Sequence, residues 1–351
     1  MLTLYLAHIL SYMHDRKKDF QTIIELIKSA KNIIITSHKS PDGDSLGSSL
    51  SLFRFIKKIN TNVLVCHPDQ SSNAFHWLVD IDSIQLFREN KELVRSMVEK
   101  SDLIFCLDYN SFDRLGSEMG EIVQNSMAKK VLIDHHQNPS IPAVVSISET
   151  SIASTSELIF ELIEQSGLGE LLDAEIAKYI YLGIMTDTGS FRFPSVSSRT
   201  HEIVSSLLKT GFQHAQIHEA IFDANSLDRL KLKSYAIVEK LEVLQELPIG
   251  IIFLENEELK RFNHQKGDTE GLVNTILSIE NIMVAALFVE TEEGVKISFR
   301  SKGSYFVNEL ASVYFNGGGH KYAAGGFSAE SIFLTKERFK AIVLSGFYNS
   351  I

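Results

Sequence analysis

Along the first two-thirds of the chain one pattern repeats: a short apolar run, a polar turn rich in Asp, His, Ser or Gly, then a stretch with helical period. The runs Ile33–Ile35, Val63–Val65, Leu103–Leu107 and Val131–Ile133 are too short and too β-branched for buried helices, so they predict strands. Helices are predicted between them at about 45 to 59, 90 to 99, 117 to 128, 156 to 166 and 173 to 185, and Ser154 followed three residues on by Glu157 predicts a capping box. Alternation of this kind defines an α/β fold with a doubly wound, mainly parallel sheet.

From about 200 to 240 the pattern turns helical with few strand candidates, as expected of a connector between two cores. Beyond it the runs Ile251–Leu254, Met283–Val289, Val295–Phe299 and Ile332–Leu334 predict strands, with a helix over Glu270–Ile279. They form a second, smaller mixed α/β domain. The expected division is residues 1 to 205 and 236 to 351, joined by a helical linker at 206 to 235. A length of 351 residues agrees, at roughly 150 residues per domain.

Composition excludes several classes. With 44% apolar and 22% charged residues the chain is an ordinary globular protein, neither disordered nor collagenous. A net charge of -10 argues against a surface that wraps long nucleic-acid duplexes, and no run of apolar residues is long enough for a membrane span. Cys66 and Cys106 lie in apolar runs and are too few for a disulfide framework or a thiolate zinc site, which points to the reducing cytoplasm.

The chemistry clusters where the apolar runs end. After Ile35 come His38, Asp42 and Asp44; Leu107 is followed by Asp108, Ile133 by Asp134, His135 and His136, and the helix near Ile184 runs into Asp187. Strand carboxyl ends in an open parallel sheet form the ligand crevice, so these segments can converge. Carboxylates and imidazoles gathered in one crevice need a cation, because buried charges need partners. The ligand types favour Mn²⁺ or Mg²⁺ over Zn²⁺, Fe²⁺ or Co²⁺, and six or so ligands suit two ions sharing a carboxylate. Two-metal sites point to phosphoryl chemistry. Each segment alone reads equally as a solvated turn or a helix cap. In the second domain, Gly317–Gly318–Gly319 exposes backbone N–H groups that can cradle a phosphate, Arg300 offers a planar fork for one, and His320 alone would be an ordinary surface histidine.

The order His-x-x-x-Asp-x-Asp, then Asp108, then Asp-His-His, then Asp187 resembles the DHH phosphoesterase superfamily. Gly317–His320, with Ala323–Gly326 behind it and Ser298–Ser301 upstream, is similar to that superfamily's DHHA1 substrate domain. The resemblance implies that His38, Asp42 and Asp108 hold one divalent metal, and that Asp44, Asp108, His135 and Asp187 hold a second. Mn²⁺ is expected first. Asp108 would bridge, His136 would face the scissile phosphate and Asp134 would support it, while Arg300, Ser301, Gly317, Gly318, Gly319 and His320 would contact substrate.

Too short for a RecJ exonuclease, without spans and with the GGGH motif, the chain most resembles the stand-alone NrnA-type oligoribonucleases. These cleave very short single-stranded RNA and dephosphorylate 3'-phosphoadenosine 5'-phosphate. Two alternatives stay open: a soluble phosphodiesterase for cyclic di-AMP or its linear dinucleotide, and a non-catalytic nucleotide sensor. No long duplex and no membrane is expected as partner, and a homodimer is left open.

Overall fold

The computed structural model describes residues 2 to 244 and 247 to 348, residues 2 to 15 as backbone only. Two compact units divide at Asp223 and Ala224. The first contains, in order, α1 (Leu2–Ser29), β1 (Ile33–Ser37), α2 (Gly43–Lys57), β2 (Val63–His67), β3 (Gln85–Leu86), α3 (Lys91–Lys100), β4 (Leu103–Leu107), α4 (Ser117–Asn125), β5 (Lys129–Asp134), β6 (Val145–Ser148), α5 (Thr155–Gln165), α6 (Ala174–Asp187), α7 (Ser198–Leu208) and α8 (His214–His218). The second contains α9 (Leu227–Glu239), β7 (Glu242–Val243), β8 (Ile249–Leu254), α10 (Asn256–Arg261), α11 (Leu272–Leu277), β9 (Val284–Thr291), β10 (Gly294–Ser301), α12 (Asn308–Tyr314), β11 (Gly318–His320), β12 (Ala323–Ser328) and α13 (Ile332–Ile342).

Six strands of the first unit pair in the order β3-β2-β1-β4-β5-β6, all parallel. Strand order therefore reverses between β1 and β4. In an open parallel sheet the ligand crevice forms at such a reversal, outside the strand carboxyl ends. β1 and β4 are buried along their whole length, which is why they read as unbroken apolar runs rather than alternating ones. β3 and β6, at the two edges, are short and carry mixed residues, so no apolar run marked them.

α2 and α6 pack closely because glycines line their contact. A Cβ on Gly47 would lie 2.5 Å from the Tyr179 carbonyl oxygen, and one on Gly183 would lie 2.0 Å from Ser156 Oγ and 2.6 Å from Asp44 Oδ1. Gly183 thus brings α6 against the buried carboxylate of α2. α5 begins with Ser154 as N-cap, whose hydroxyl accepts from the Glu157 N–H at 3.2 Å. The expected return bond of a capping box, from the Ser154 N–H to the Glu157 carboxyl, is not among those formed, and Glu157 Oε1 is buried without a hydrogen-bond partner among the described residues.

The second sheet has the order β11-β12-β10-β9-β8-β7 and is mixed: β8 and β9 are parallel, the other pairs antiparallel. α9 begins inside the segment expected to be a linker, 206 to 235, and runs past its end, giving Leu232 and Ala236 to the core of this unit. Ile332–Leu334, predicted as a strand, is the first turn of α13, capped by Ser331 through the Leu334 N–H. A three-residue apolar run carries no period to separate the two structures, and here the cap decides. Conversely, the glycine-rich β11 and β12 carry little intrinsic strand signal. Gly317 and Gly319 are there for close approach: a Cβ on Gly317 would lie 1.9 Å from the Gly325 carbonyl oxygen and one on Gly319 2.6 Å from that of Ala323. Gly318 has open space where its Cβ would be. Among the described residues no helix is long and apolar enough to cross a membrane.

Candidate metal centre

Each predicted ligand of the first unit lies at an element end that the topology brings to the crevice. His38 follows β1, and its Nδ1 lies 2.9 Å from the Lys39 carbonyl oxygen, which leaves Nε2 facing Asp108 Oδ2 at 3.4 Å and Asp42 Oδ1 at 3.7 Å. Asp42 is the N-cap of α2, accepting from the N–H groups of Asp44 and Ser45. Asp44, fully buried in the first turn of α2, is gripped by the start of α5: the Thr155 N–H donates to Oδ2 at 2.6 Å and the Ser156 N–H to Oδ1 at 2.9 Å. A helix N-terminus supplies free donors and a partial positive charge, so it suits a carboxylate.

Asp108 sits at the centre. It leaves β4 with φ of 63°, a left-handed conformation that Asp tolerates better than most residues, and accepts from Thr155 Oγ1 at 3.0 Å. His135 Nε2 faces three carboxylates, Asp187 Oδ2 at 3.2 Å, Asp108 Oδ1 at 3.5 Å and Asp44 Oδ2 at 3.9 Å. Asp187 reaches them as the last residue of α6. His136 Nδ1 hydrogen-bonds Asp134 Oδ1 at 2.7 Å, and the other oxygen of the buried Asp134 has no hydrogen-bond partner among the described residues.

Electrostatics show what such a cluster lacks. Burial and the neighbouring charges of Asp108 and Asp187 push the Asp44 carboxyl well above its ordinary range, and burial raises Asp187 too. Burial opposes charge on His38, but hydrogen bonds with Asp108 and Asp42 outweigh it and raise the imidazole to about 10. His135 is likewise raised, burial being overcome by Asp187 and its neighbours. Protons are held where positive charge is needed. The donors fall into compact sets, His38 with Asp42 and Asp108, Asp44 with Asp108 and His135, and Asp108 with Asp134 and His136, each within 4.8 Å. An oxygen- and imidazole-based donor set with one shared carboxylate fits divalent cations of the harder kind.

Sequence reading missed Thr155 and Ser156, which fix Asp44 and Asp108. Two of these three bonds come from backbone N–H groups, which no side-chain pattern reveals.

In the second unit, the register aligns Arg300 with Ala323 and Ala323 with His320 across adjacent antiparallel strands, placing Arg300 and His320 on one face of the sheet. The Arg300 guanidinium donates to the Phe299 carbonyl oxygen at 2.9 Å. Ser301 does not join them: along β10 the buried positions are Val295, Ile297, Phe299 and Ser301, so its hydroxyl lies on the core face, 5% exposed. The alternation of a strand turns neighbours to opposite faces.

A parallel α/β unit whose order reverses beside a carboxylate and imidazole cluster defines a cation-dependent phosphate-handling domain. A model of the DHH family, N-terminal domain, matches residues 32 to 184, and one of the DHHA1 domain matches residues 251 to 343. The chain is 31% identical over 307 residues to the probable bifunctional oligoribonuclease and PAP phosphatase NrnA of Streptococcus mutans, covering 87% of this chain and 92% of that one. It is 28% identical over 306 residues to the bifunctional oligoribonuclease and PAP phosphatase NrnA of Bacillus subtilis, covering 86% and 91%. Among solved structures, an exopolyphosphatase-related protein from Bacteroides fragilis matches with a TM-score of 0.89 and 35% identity over 94% of this chain and 96% of that chain. RecJ from Thermus thermophilus, in complex with Mn²⁺, matches with 0.54 and 14% over 93% and 55%, a likeness of fold alone. The chain belongs to the DHH family of phosphoesterases, hydrolases that act on phosphoester bonds and depend on divalent metal.

Beside the cluster, His67 at the end of β2 is buried with Nε2 3.1 Å from Ser49 Oγ, and burial, aided by His38, lowers its pKa to about 3. It stays neutral in the fold while an unfolded histidine takes up a proton near pH 6.5, so stability is lost as pH falls through the window from 6.5 to about 3. Urea unfolding at pH 7 and pH 5 checks this. Wild type should lose about 2 kcal/mol more than His67→Gln over that interval, and equal losses would refute it.

Proposed function

We propose that this chain is an oligoribonuclease that degrades RNAs of about two to five nucleotides to mononucleotides and also dephosphorylates 3'-phosphoadenosine 5'-phosphate, using two divalent metals, Mn²⁺ first. The observation that carries it is the shared position of Asp108 between two donor sets, in a chain whose relatives over nearly their full length are named for these two activities. His38, Asp42 and Asp108 would hold one ion; Asp44, Asp108, His135 and Asp187 the other. Bound there, the ions supply water activation and stabilise charge on the phosphate.

The chain's own groups do the rest. Thr155 and the α5 N-terminus fix Asp44 and Asp108, Ile152 orients His135 through its carbonyl oxygen at 3.3 Å, and Asp134 holds Nδ1 of His136 so that Nε2 is left for the scissile phosphate or the leaving oxygen. Arg300, His320 and the backbone around Gly318 receive the substrate end, with Gly317 and Gly319 shaping that hairpin. Two free, buried cysteines and the proposed RNA substrate support a location in the cytoplasm.

The test uses a dinucleotide, a pentamer and a 24-mer with one end label, at one ionic strength with Mn²⁺. The short two should be degraded and kcat/KM should fall steeply for the 24-mer, because an acidic exterior repels additional phosphates. Chelation should stop turnover. Equal kcat/KM on the 24-mer would overturn the length preference. Rapid opening of a cyclic dinucleotide without cleavage of the linear one would replace the substrate class.

A further inference from the structure

Two cations lie in the loops that carry residues of the metal-binding cluster, without an acidic partner among the described residues. Lys39 directly follows the ligand His38, and Arg114 lies in the turn that follows Asp108. Both side chains are exposed, and neither has a hydrogen-bond or ion-pair partner among the described residues. Their backbones are joined, the Lys39 N–H donating to the Arg114 carbonyl oxygen at 2.7 Å, so the loops after β1 and β4 are tied at the point where strand order reverses.

The Lys39 loop is also fixed from its other side. Ser40 adopts a left-handed conformation, φ 56°, and its N–H donates to the buried Asp69 carboxylate at 2.7 Å. Lys39 itself orients His38 through its carbonyl oxygen at 2.9 Å. Such a loop cannot drift without moving a ligand. In a chain of net charge -10, with five carboxylates converging nearby, two cations on a fixed rim left without acidic partners are placed for an anion from outside.

We propose that Lys39 and Arg114 form a contact for a second phosphate, one that holds a non-scissile phosphate of the oligonucleotide while its neighbour lies at the metal-binding cluster. The proposal rests on the reading of the site as an oligoribonuclease and adds the residues that distinguish substrates with more than one phosphate. Arg114 brings a planar fork suited to phosphate oxygens and Lys39 a point charge. Prior ordering of the loops keeps the entropy cost of binding low.

The unphosphorylated dinucleotide ApA and trinucleotide ApApA separate the cases, because ApA contains only the phosphate being cut. The experiment compares kcat/KM on both for wild type, Lys39→Ala/Arg114→Ala and Lys39→Arg, with metal content measured on each. In the double variant the ratio of ApApA to ApA should fall about tenfold or more, the size of losing charge-assisted phosphate contacts. The fall should shrink in high salt, and Lys39→Arg should keep most of the wild-type ratio. An unchanged ratio overturns the proposal, as does a fall that tracks loss of metal. Failure of wild type to cleave either substrate would instead overturn the oligoribonuclease reading.

Discussion

Asp108→Asn is expected to lose metal and activity together. Asn tolerates the left-handed backbone at this position as Asp does, so the substitution removes charge with little strain. Asp108 contributes to all three compact donor sets that lie within the first unit, faces both His38 and His135, and accepts from Thr155. On the proposed reading Asp108 serves both ions, and its loss should then exceed the roughly 10 to 100-fold typical of residues that merely orient a ligand. Turnover and metal stoichiometry, measured on the same preparation, should fall together, the latter towards zero. Wild-type turnover, or full metal occupancy with lost turnover, would remove Asp108 from its bridging role.

Gly183→Ala should damage the centre without touching a ligand. The added Cβ would overlap Ser156 Oγ and crowd Asp44 Oδ1, the carboxylate oxygen that accepts from the Ser156 N–H across α2 and α5. Rotation of the Ser156 hydroxyl gives no relief, because Ser156 Cβ would still lie 2.7 Å from the added methyl, so α6 must retreat from α2 and α5, which carries Asp187 away from His135. Overpacking of this kind costs about 1 to 3 kcal/mol, a fall of several degrees in Tm, and metal affinity should fall with it. Gly169→Ala is the control, since its Cβ meets nothing within 4 Å and its φ is ordinary. A Gly183→Ala protein with the control's Tm and metal affinity would show that the helices accommodate the methyl.

The convergence of the cluster was legible because its members are charged residues placed where apolar runs stop, and the fold was legible because buried parallel strands are written as unbroken apolar runs. His38, Asp108 and Asp134 each follow such a run closely. What escaped has a different physical basis. Gly183 matters through atoms of α2 and α5 that are distant in sequence, and Thr155 and Ser156 act largely through backbone N–H groups common to nearly all residues. β11 and β12 are strands by mutual fit rather than by propensity. Ser301 was grouped with Arg300 by adjacency in sequence, whereas strand alternation sends the two to opposite faces.

Gly318 stands apart from its neighbours in the hairpin, and this offers a chemical handle. Gly317 and Gly319 have no room for a side chain, but a residue at 318 meets nothing within 4 Å and needs no left-handed backbone. Both native cysteines are buried, their thiols pushed by burial to about 12 and about 11, so neither competes for a thiol-directed dye. A single Gly318→Cys substitution would therefore mount a fluorophore in the hairpin itself, where, on the proposed reading of the hairpin as a substrate contact, its emission would report ligand arrival whether or not a bond is cut.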